Sequence, residues 1–120
     1  MIVRLLAALA MLCLAAPVHA QIVEVDGGAV RGVDAGSAII FRGIPFAAPP
    51  LAGLRWKAPQ PVVSWSGVRD ATKPAPACIQ NDQGWNEASF RFASEDCLSL
   101  DIRTPSLTGR RPVMVWIHGG

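Results

Sequence analysis

The sequence predicts an α/β protein in which a small antiparallel sheet precedes the first strands of a larger sheet. Near the N-terminus, the turn signals Asp26-Gly27-Gly28 and Asp34-Ala35-Gly36 separate three short extended segments, a pattern typical of antiparallel strands. Near the other end, residues 113–117 are apolar on both faces, as expected of a strand covered on each side by another layer. We therefore expect further sequence after Gly120 to complete the larger sheet, and we expect Val113, Val115 and Ile117 to be exposed in this chain by itself.

Residues 1–20 have the pattern of a secretory signal peptide. Arg4 provides a short positive head, and residues 5–16 form an uninterrupted apolar run. Val18-His19-Ala20 then supplies the small residues that a signal peptidase requires, which predicts cleavage directly after this tripeptide. The mature domain is therefore predicted to comprise residues 21–120.

Two alternatives for this leader are less favoured. A membrane anchor needs ~20 apolar residues to span a bilayer, and the apolar run is shorter than that, so we expect no stable membrane span after cleavage. A lipoprotein would use Leu12-Cys13, but this pair lies within the apolar run.

The charge balance excludes some classes of partner. Eleven Lys and Arg residues against nine Asp and Glu residues give a net charge of +2, and Arg110-Arg111 is no more than a turn-sized pair. We therefore expect neither nucleic acid nor an anionic surface as a partner. The chain has no CxxC motif and His118 has no neighbouring ligand, so we predict neither a metal site nor a cofactor.

Two cysteines, Cys78 and Cys97, remain once Cys13 is removed with the leader. An even number of cysteines in an exported chain favours a disulfide, and so a location in the periplasm or outside the cell. A disulfide closing a loop of this size contributes about 3 kcal/mol in the chain-entropy model. Two free, buried thiols are the alternative.

The intervening sequence contains further strand and loop signals. Residues 22–25, 29–31 and 37–42 are the predicted strands of the N-terminal sheet, and residues 98–103 alternate as a half-buried strand does. Residues 43–77 are predicted to be irregular, since their prolines supply no N–H for a sheet ladder.

Side-chain burial and one helical segment are also predicted. Trp85 to Ala93 is expected to form one or two helical turns, and Trp116 is expected to pack. Disorder of the irregular segment is disfavoured, because several of its apolar side chains need burial: Leu54, Trp56, Val62, Val63 and Trp65.

Four segments occur in an order that points to a known family. They are Gly43 to Pro50 with Gly53-Leu54-Arg55-Trp56, Trp65 to Thr72, Glu95 to Ile102 followed by Thr104-Pro105, and Pro112 to Gly120. Together they cover roughly residues 22–120 and resemble the type-B carboxylesterase family, also called the carboxylesterase/cholinesterase family. The resemblance implies the N-terminal portion of an α/β-hydrolase fold, and hydrolysis of small-molecule carboxylic esters through a Ser-His-Glu/Asp triad.

The resemblance also assigns roles to single residues. Gly119 and Gly120 match the oxyanion-hole glycines, whose main-chain N–H groups stabilise a negatively charged intermediate. From the local sequence alone, an ordinary turn after a strand is the alternative for these glycines. His118 is expected to be structural rather than a general base. The chain contains no Gly-x-Ser-x-Gly elbow, so the triad is expected beyond residue 120 and the chain alone is predicted to be inactive.

Two pairs match structural features of the family. Cys78 and Cys97 match its first disulfide, and Arg55 and Glu95 match an ion pair that ties the irregular segment to the Glu-Asp-Cys-Leu signature. The stretch between the cysteines is shorter than in animal cholinesterases, so choline esters are not the expected substrate. A non-catalytic, secreted binding or adhesion relative of the same fold is the alternative function.

Overall fold

The structure, a computed structural model, describes residues 20–81, 83–87 and 91–118. The strands within these residues are β1 (Ala20–Val25), β2 (Gly28–Asp34), β3 (Ile39–Pro45), β4 (Val68–Asp70) and β5 (Ser99–Thr104). They form one sheet in the order β1-β2-β3-β5, and β4 lies beside β2. A 3-10 turn, Ala52–Leu54, lies between β3 and β4.

The predicted N-terminal hairpin is confirmed. β1 pairs antiparallel with β2 along the whole length of β1, from Ala20 opposite Val33 to Val25 opposite Gly28. The pairing begins two residues earlier than the sequence pattern suggested. β2 then continues into an antiparallel pair with β3, so the three predicted strands do form one small sheet.

β3 corrects the prediction that no sheet ladder continues beyond residue 42. The strand runs to Pro45 and pairs antiparallel with β5, with an irregularity between Phe41 and Ile44. Gly43 occupies this bulge at φ +64°, and its N–H donates a hydrogen bond of 2.9 Å to Asp101 Oδ1. Proline is tolerated because only β5 pairs with β3 at this position among the described strands, so no second neighbouring strand needs an N–H from Pro45.

β4 also corrects the prediction that residues 43–77 are wholly irregular. It pairs in parallel with residues 29–31 of β2. The junction continues beyond the strand, where Ala71 donates to the Arg31 carbonyl at 2.8 Å and accepts from the Arg42 N–H at 2.7 Å. A strand of three residues is too short to show periodicity, so the sequence pattern missed it.

The hydrophobic core lies where β2, β3 and the residue after β4 meet. Val30, Phe41, Ile44 and Ala71 are buried there, and four half-buried side chains pack against them: Val23, Val25, Ile39 and Trp65. A Cβ added at Gly32 would lie 2.6 Å from both the Phe41 ring and the Ile40 carbonyl oxygen, which is too close for either contact. The absence of a side chain at Gly32 therefore lets the Phe41 ring lie over the strand.

Several burial predictions are wrong. Trp56 is 96 % exposed, Val63 and Leu54 are exposed, and only Trp65 and Val62 of the five side chains are half-buried. Residues 113–117 are between 77 % and 93 % exposed and form no strand, which confirms the exposure expected of Val113, Val115 and Ile117 in this chain by itself. The expected packing of Trp116 is not observed, since that side chain is 85 % exposed. A strand needs a neighbour to pair with, and within the described residues none lies beside this segment.

Two other predictions, the leader and the helical segment, concern residues that the structure does not describe. The leader, residues 1–19, lies outside it, and no helix in the described part of the chain is long and apolar enough to cross a bilayer. Residues 88–90, in the predicted helical segment, are also outside it. On either side of them, the Arg91 N–H donates to the Glu87 carbonyl at 3.0 Å, the spacing of one helical turn.

Candidate functional site

The two glycines predicted to form the oxyanion hole, Gly119 and Gly120, lie outside the described residues. The segment leading to them, residues 112–118, is exposed and includes His118. It follows β5 through the short connection of residues 105–111. The position of β5 therefore sets where this segment begins.

The entry to β5 is fastened by the disulfide between Cys78 and Cys97. The two Cα atoms are 5.1 Å apart and the sulfurs are bonded at 2.06 Å, so the predicted disulfide is present and the alternative of two free thiols is wrong. A backbone hydrogen bond of 2.9 Å from Ser94 to the Ala77 carbonyl runs beside it. The loop of residues 78–97 is thereby closed at its base, directly before β5.

A second connection joins this base to the irregular segment. Arg55 Nη2 lies 3.0 Å from Glu95 Oε1, and the two side chains are 53 % and 36 % exposed. The backbone on either side of Arg55 is unusual, because Ala52 and Trp56 have φ values of 45° and 60°. Side chains other than glycine rarely adopt this left-handed conformation, so the turn that aims Arg55 at Glu95 is held against a backbone cost.

An open cavity of about 380 Å³ lies where these segments meet. Its walls include Pro50 and Trp56 from the irregular segment, Ile79 from the disulfide loop, and the Arg55–Glu95 pair. In this wall, Arg55 and Glu95 are paired with each other, and Cys97 is bonded to Cys78. The cavity therefore lies at a junction of chain segments whose charged groups and cysteine are already engaged.

The disulfide loop is ordered internally by Asn86, a residue that the sequence analysis missed. Its side chain is 5 % exposed and accepts the Gln83 N–H at 2.8 Å. Its amide donates to the Asn81 carbonyl at 2.9 Å and to Gln80 Oε1 at 3.2 Å. The adjacent Trp85 is 73 % exposed. An isolated asparagine carries no sequence signal of burial, because the partners that satisfy it come from the folded loop.

Comparisons with known proteins agree with this architecture. The model of the carboxylesterase family matches residues 19–120. The fumonisin B1 esterase of Sphingopyxis macrogoltabida is 45 % identical over 97 residues, which are 79 % of this chain and 18 % of that protein. The pyrethroid hydrolase Ces2e of Rattus norvegicus is 44 % identical over 109 residues, 81 % of this chain and 19 % of that protein.

The solved structures of PNB esterases share the same fold. One superposes with a TM-score of 0.76 at 38 % sequence identity, covering 83 % of this chain and 21 % of that chain. The described sheet is therefore the corresponding part of an α/β-hydrolase fold, and the chain spans about a fifth of the length of the relatives it matches. On the match over residues 19–120, the chain belongs to the carboxylesterase family.

Proposed function

We propose that the protein of which this sequence is part is an exported serine carboxylesterase acting on small-molecule carboxylic esters. The observation that carries this proposal is the family match over residues 19–120, which includes the apolar segment and the glycines that follow it. The relatives named as a fumonisin B1 esterase and as a pyrethroid hydrolase support the same class of reaction. The acyl and alcohol groups of the substrate are left open.

In the proposed mechanism, Gly119 and Gly120 act through their backbone N–H groups. A serine attacks the ester carbonyl, the carbonyl oxygen becomes negatively charged, and the two amides donate hydrogen bonds to it. Each such donor is typically worth about 3 kcal/mol of transition-state stabilisation. Water then hydrolyses the acyl-enzyme, with a histidine transferring protons and a carboxylate orienting that histidine. No cofactor takes part in these steps.

The described residues would serve this chemistry by positioning. β5 pairs with β3, and the disulfide and the Arg55–Glu95 pair hold the chain immediately before β5. Thr104, at the end of β5, accepts the Ser106 N–H at 3.3 Å and donates its hydroxyl to the Ser106 carbonyl at 2.7 Å, which shapes the turn after the strand. A fixed β5 and a short connection limit where the glycine loop begins, as a preorganised donor site requires.

The proposal is tested with the full-length gene product, expressed with its own leader. We expect turnover of a p-nitrophenyl ester and covalent labelling by a serine-directed fluorophosphonate. Gly119→Val and Gly120→Val should each lower kcat by about 10²–10³, because a side chain displaces the amide donors. Gly53→Ala is the matched control, since no atom lies within 4 Å of its added Cβ.

Two results would contradict the esterase proposal. A folded full-length protein that shows neither ester turnover nor labelling would favour the alternative, a secreted binding relative without a working triad. Valine variants with unchanged kcat would remove the assigned role of these glycines. Circular dichroism of each variant separates loss of the fold from loss of the site.

Export is the second part of the proposal. It is supported by the leader pattern of residues 1–20 and by a disulfide of the kind formed in oxidising compartments. Fractionation of cells expressing the full-length protein should recover it in the periplasm or the medium, shortened at its N-terminus. Recovery of the full-length form from the cytoplasm would contradict this part alone.

A further inference from the structure

We infer that Gln21 is a modification site, which cyclises to pyroglutamate at the N-terminus of the exported protein. The inference rests on the proposed removal of residues 1–20, because only a terminal glutamine has the free amine that the reaction needs. It concerns a covalent change at the start of β1, remote in sequence from the predicted glycine loop.

The first observation is that Gln21 lies on the core-facing side of β1. Successive side chains of a strand point to opposite faces, so Gln21 shares its face with Val23 and Val25. Both valines pack against the core, and Gln21 is half-buried between exposed neighbours. The polar side chain of Gln21 therefore lies at the end of the row formed by Val23 and Val25.

The second observation is the apolar surroundings of this position on the adjacent strand. Gln21 pairs with Gly32, which has no side chain to offer it a polar partner. The Phe41 ring lies over Gly32 instead. Among the described residues, no hydrogen bond holds the side-chain amide of Gln21. The amide is thus not engaged in any contact that the cyclisation would have to break.

Leader removal makes this position less favourable still. The new terminus carries an α-ammonium group on the same residue as the unpaired amide, next to the apolar row of Val23 and Val25. Removing such groups from water is costly unless they find polar partners. A reaction that eliminates both the charge and the primary amide relieves this mismatch.

The cyclisation eliminates both groups in one step. The neutral α-amine nitrogen attacks the side-chain Cδ, a C–N bond forms, and the bond from Cδ to Nε2 breaks. A proton passes from the attacking nitrogen to the departing one, and ammonia leaves. The product is a five-membered lactam with one N–H and one ring carbonyl, the peptide carbonyl of residue 21 is unchanged, and no oxidant, reductant or second substrate is consumed. β1 is an outer strand of the described sheet, so the ring forms at an open edge.

The test is intact-mass and fragment-ion analysis of the protein purified from the exported fraction after expression with its own leader. We expect the chain to begin at residue 21, to be lighter by one ammonia, and to resist aminopeptidase. The matched variant Gln21→Asn should begin at the same bond but keep its amine and amide, because its shorter side chain cannot close a five-membered lactam.

The other outcomes distinguish failure of the cyclisation from failure of the proposed leader cleavage on which it rests. A chain that begins with uncyclised Gln21 would overturn the modification and leave the cleavage standing. A different first residue would overturn both. A synthetic peptide of residues 21–33, carried through the same purification steps, should stay largely uncyclised. Equal cyclisation of peptide and protein would assign the reaction to handling and overturn the inference.

Discussion

Trp65 lies over Gly27, and its indole ring occupies the space that a side chain at residue 27 would need. The Trp65 N–H donates to the Gly27 carbonyl at 2.9 Å, and its indole Nε1 donates to the Ala29 carbonyl at 2.9 Å. Arg69 lies over the same ring, 5.3 Å from its centroid. The proline-rich segment is thereby attached to the turn of the first hairpin.

This contact predicts that Gly27→Ala destabilises the protein. The added Cβ would overlap the indole ring. Trp65 is held in place by one hydrogen bond from its indole N–H and one from its backbone N–H, so displacing the ring should cost about 1–3 kcal/mol. Urea unfolding of the full-length protein measures the loss. Gly53→Ala, where the new methyl group meets nothing within 4 Å, should leave the midpoint nearly unchanged. Equal midpoints for the two variants would contradict the packing argument.

The disulfide should contribute stability through the loop that it closes. Cys78 and Cys97 are 19 residues apart, for which the chain-entropy model gives about 3 kcal/mol. The double variant Cys78→Ser/Cys97→Ser should unfold at a correspondingly lower denaturant concentration. Dithiothreitol should destabilise the wild type but leave the double variant unaffected. Sensitivity of the double variant to the reductant would mean that the effect comes from elsewhere.

The Arg55–Glu95 pair is expected to contribute little free energy despite its 3.0 Å geometry. Its side chains are 53 % and 36 % exposed, and water screens the attraction of such pairs to about 0.2–1 kcal/mol. A double-mutant cycle with Arg55→Met and Glu95→Gln measures the coupling energy. The more exposed pair of Arg91 and Glu87 is the control, and its coupling should be no larger.

The salt dependence of the coupling energy tests whether water and ions screen this pair. The coupling between Arg55 and Glu95 should fall as salt is added, because the charges are accessible to ions. A coupling of several kcal/mol that is insensitive to salt would show that the pair is buried in the full-length protein.

Asp70 should make stability depend on pH in the acid range. Hydrogen bonds from the side chain and backbone of Thr72 hold the pKa of Asp70 below its usual value of 3.8, and the positive charges of Arg31 and Lys73 act in the same direction. The folded state thus favours the carboxylate more than the unfolded state does. This stabilisation is present above the unfolded pKa and is lost as pH falls through the folded pKa.

The expected result is a difference in stability between wild type and Asp70→Asn that is present at neutral pH and shrinks below about pH 4. Denaturant unfolding at several pH values measures it. Thr72→Val removes the hydroxyl, so it should return the pKa of Asp70 toward its usual value in an NMR titration of the carboxyl group. A difference in stability that stays constant down to pH 2 would contradict the assignment.

Local sequence patterns predicted those parts of the fold in which a few adjacent residues decide the outcome. The turn of residues 26–28 and the strand at residues 98–103 depend on neighbours along the chain, and both elements are present. The half-buried alternation predicted for that strand is wrong, because Leu100 and Ile102 are exposed in β5. Gly43 was not predicted to carry β3 through a bulge, because its role depends on Asp101, 58 residues away. For the same reason, the burial of Asn86 had no signal in the sequence.

Residue patterns by themselves determined the hairpin, the third strand, the existence of β5 and, with the family resemblance, the pairing of Cys78 with Cys97. Only the tertiary structure decided that β4 pairs with β2, that β3 continues through Pro45, and that Trp56, Leu100 and Ile102 are exposed. The physical reason is that apolar patterning shows which side chains would avoid water. Whether they do so depends on a partner strand or layer, and that partner comes from a distant part of the chain.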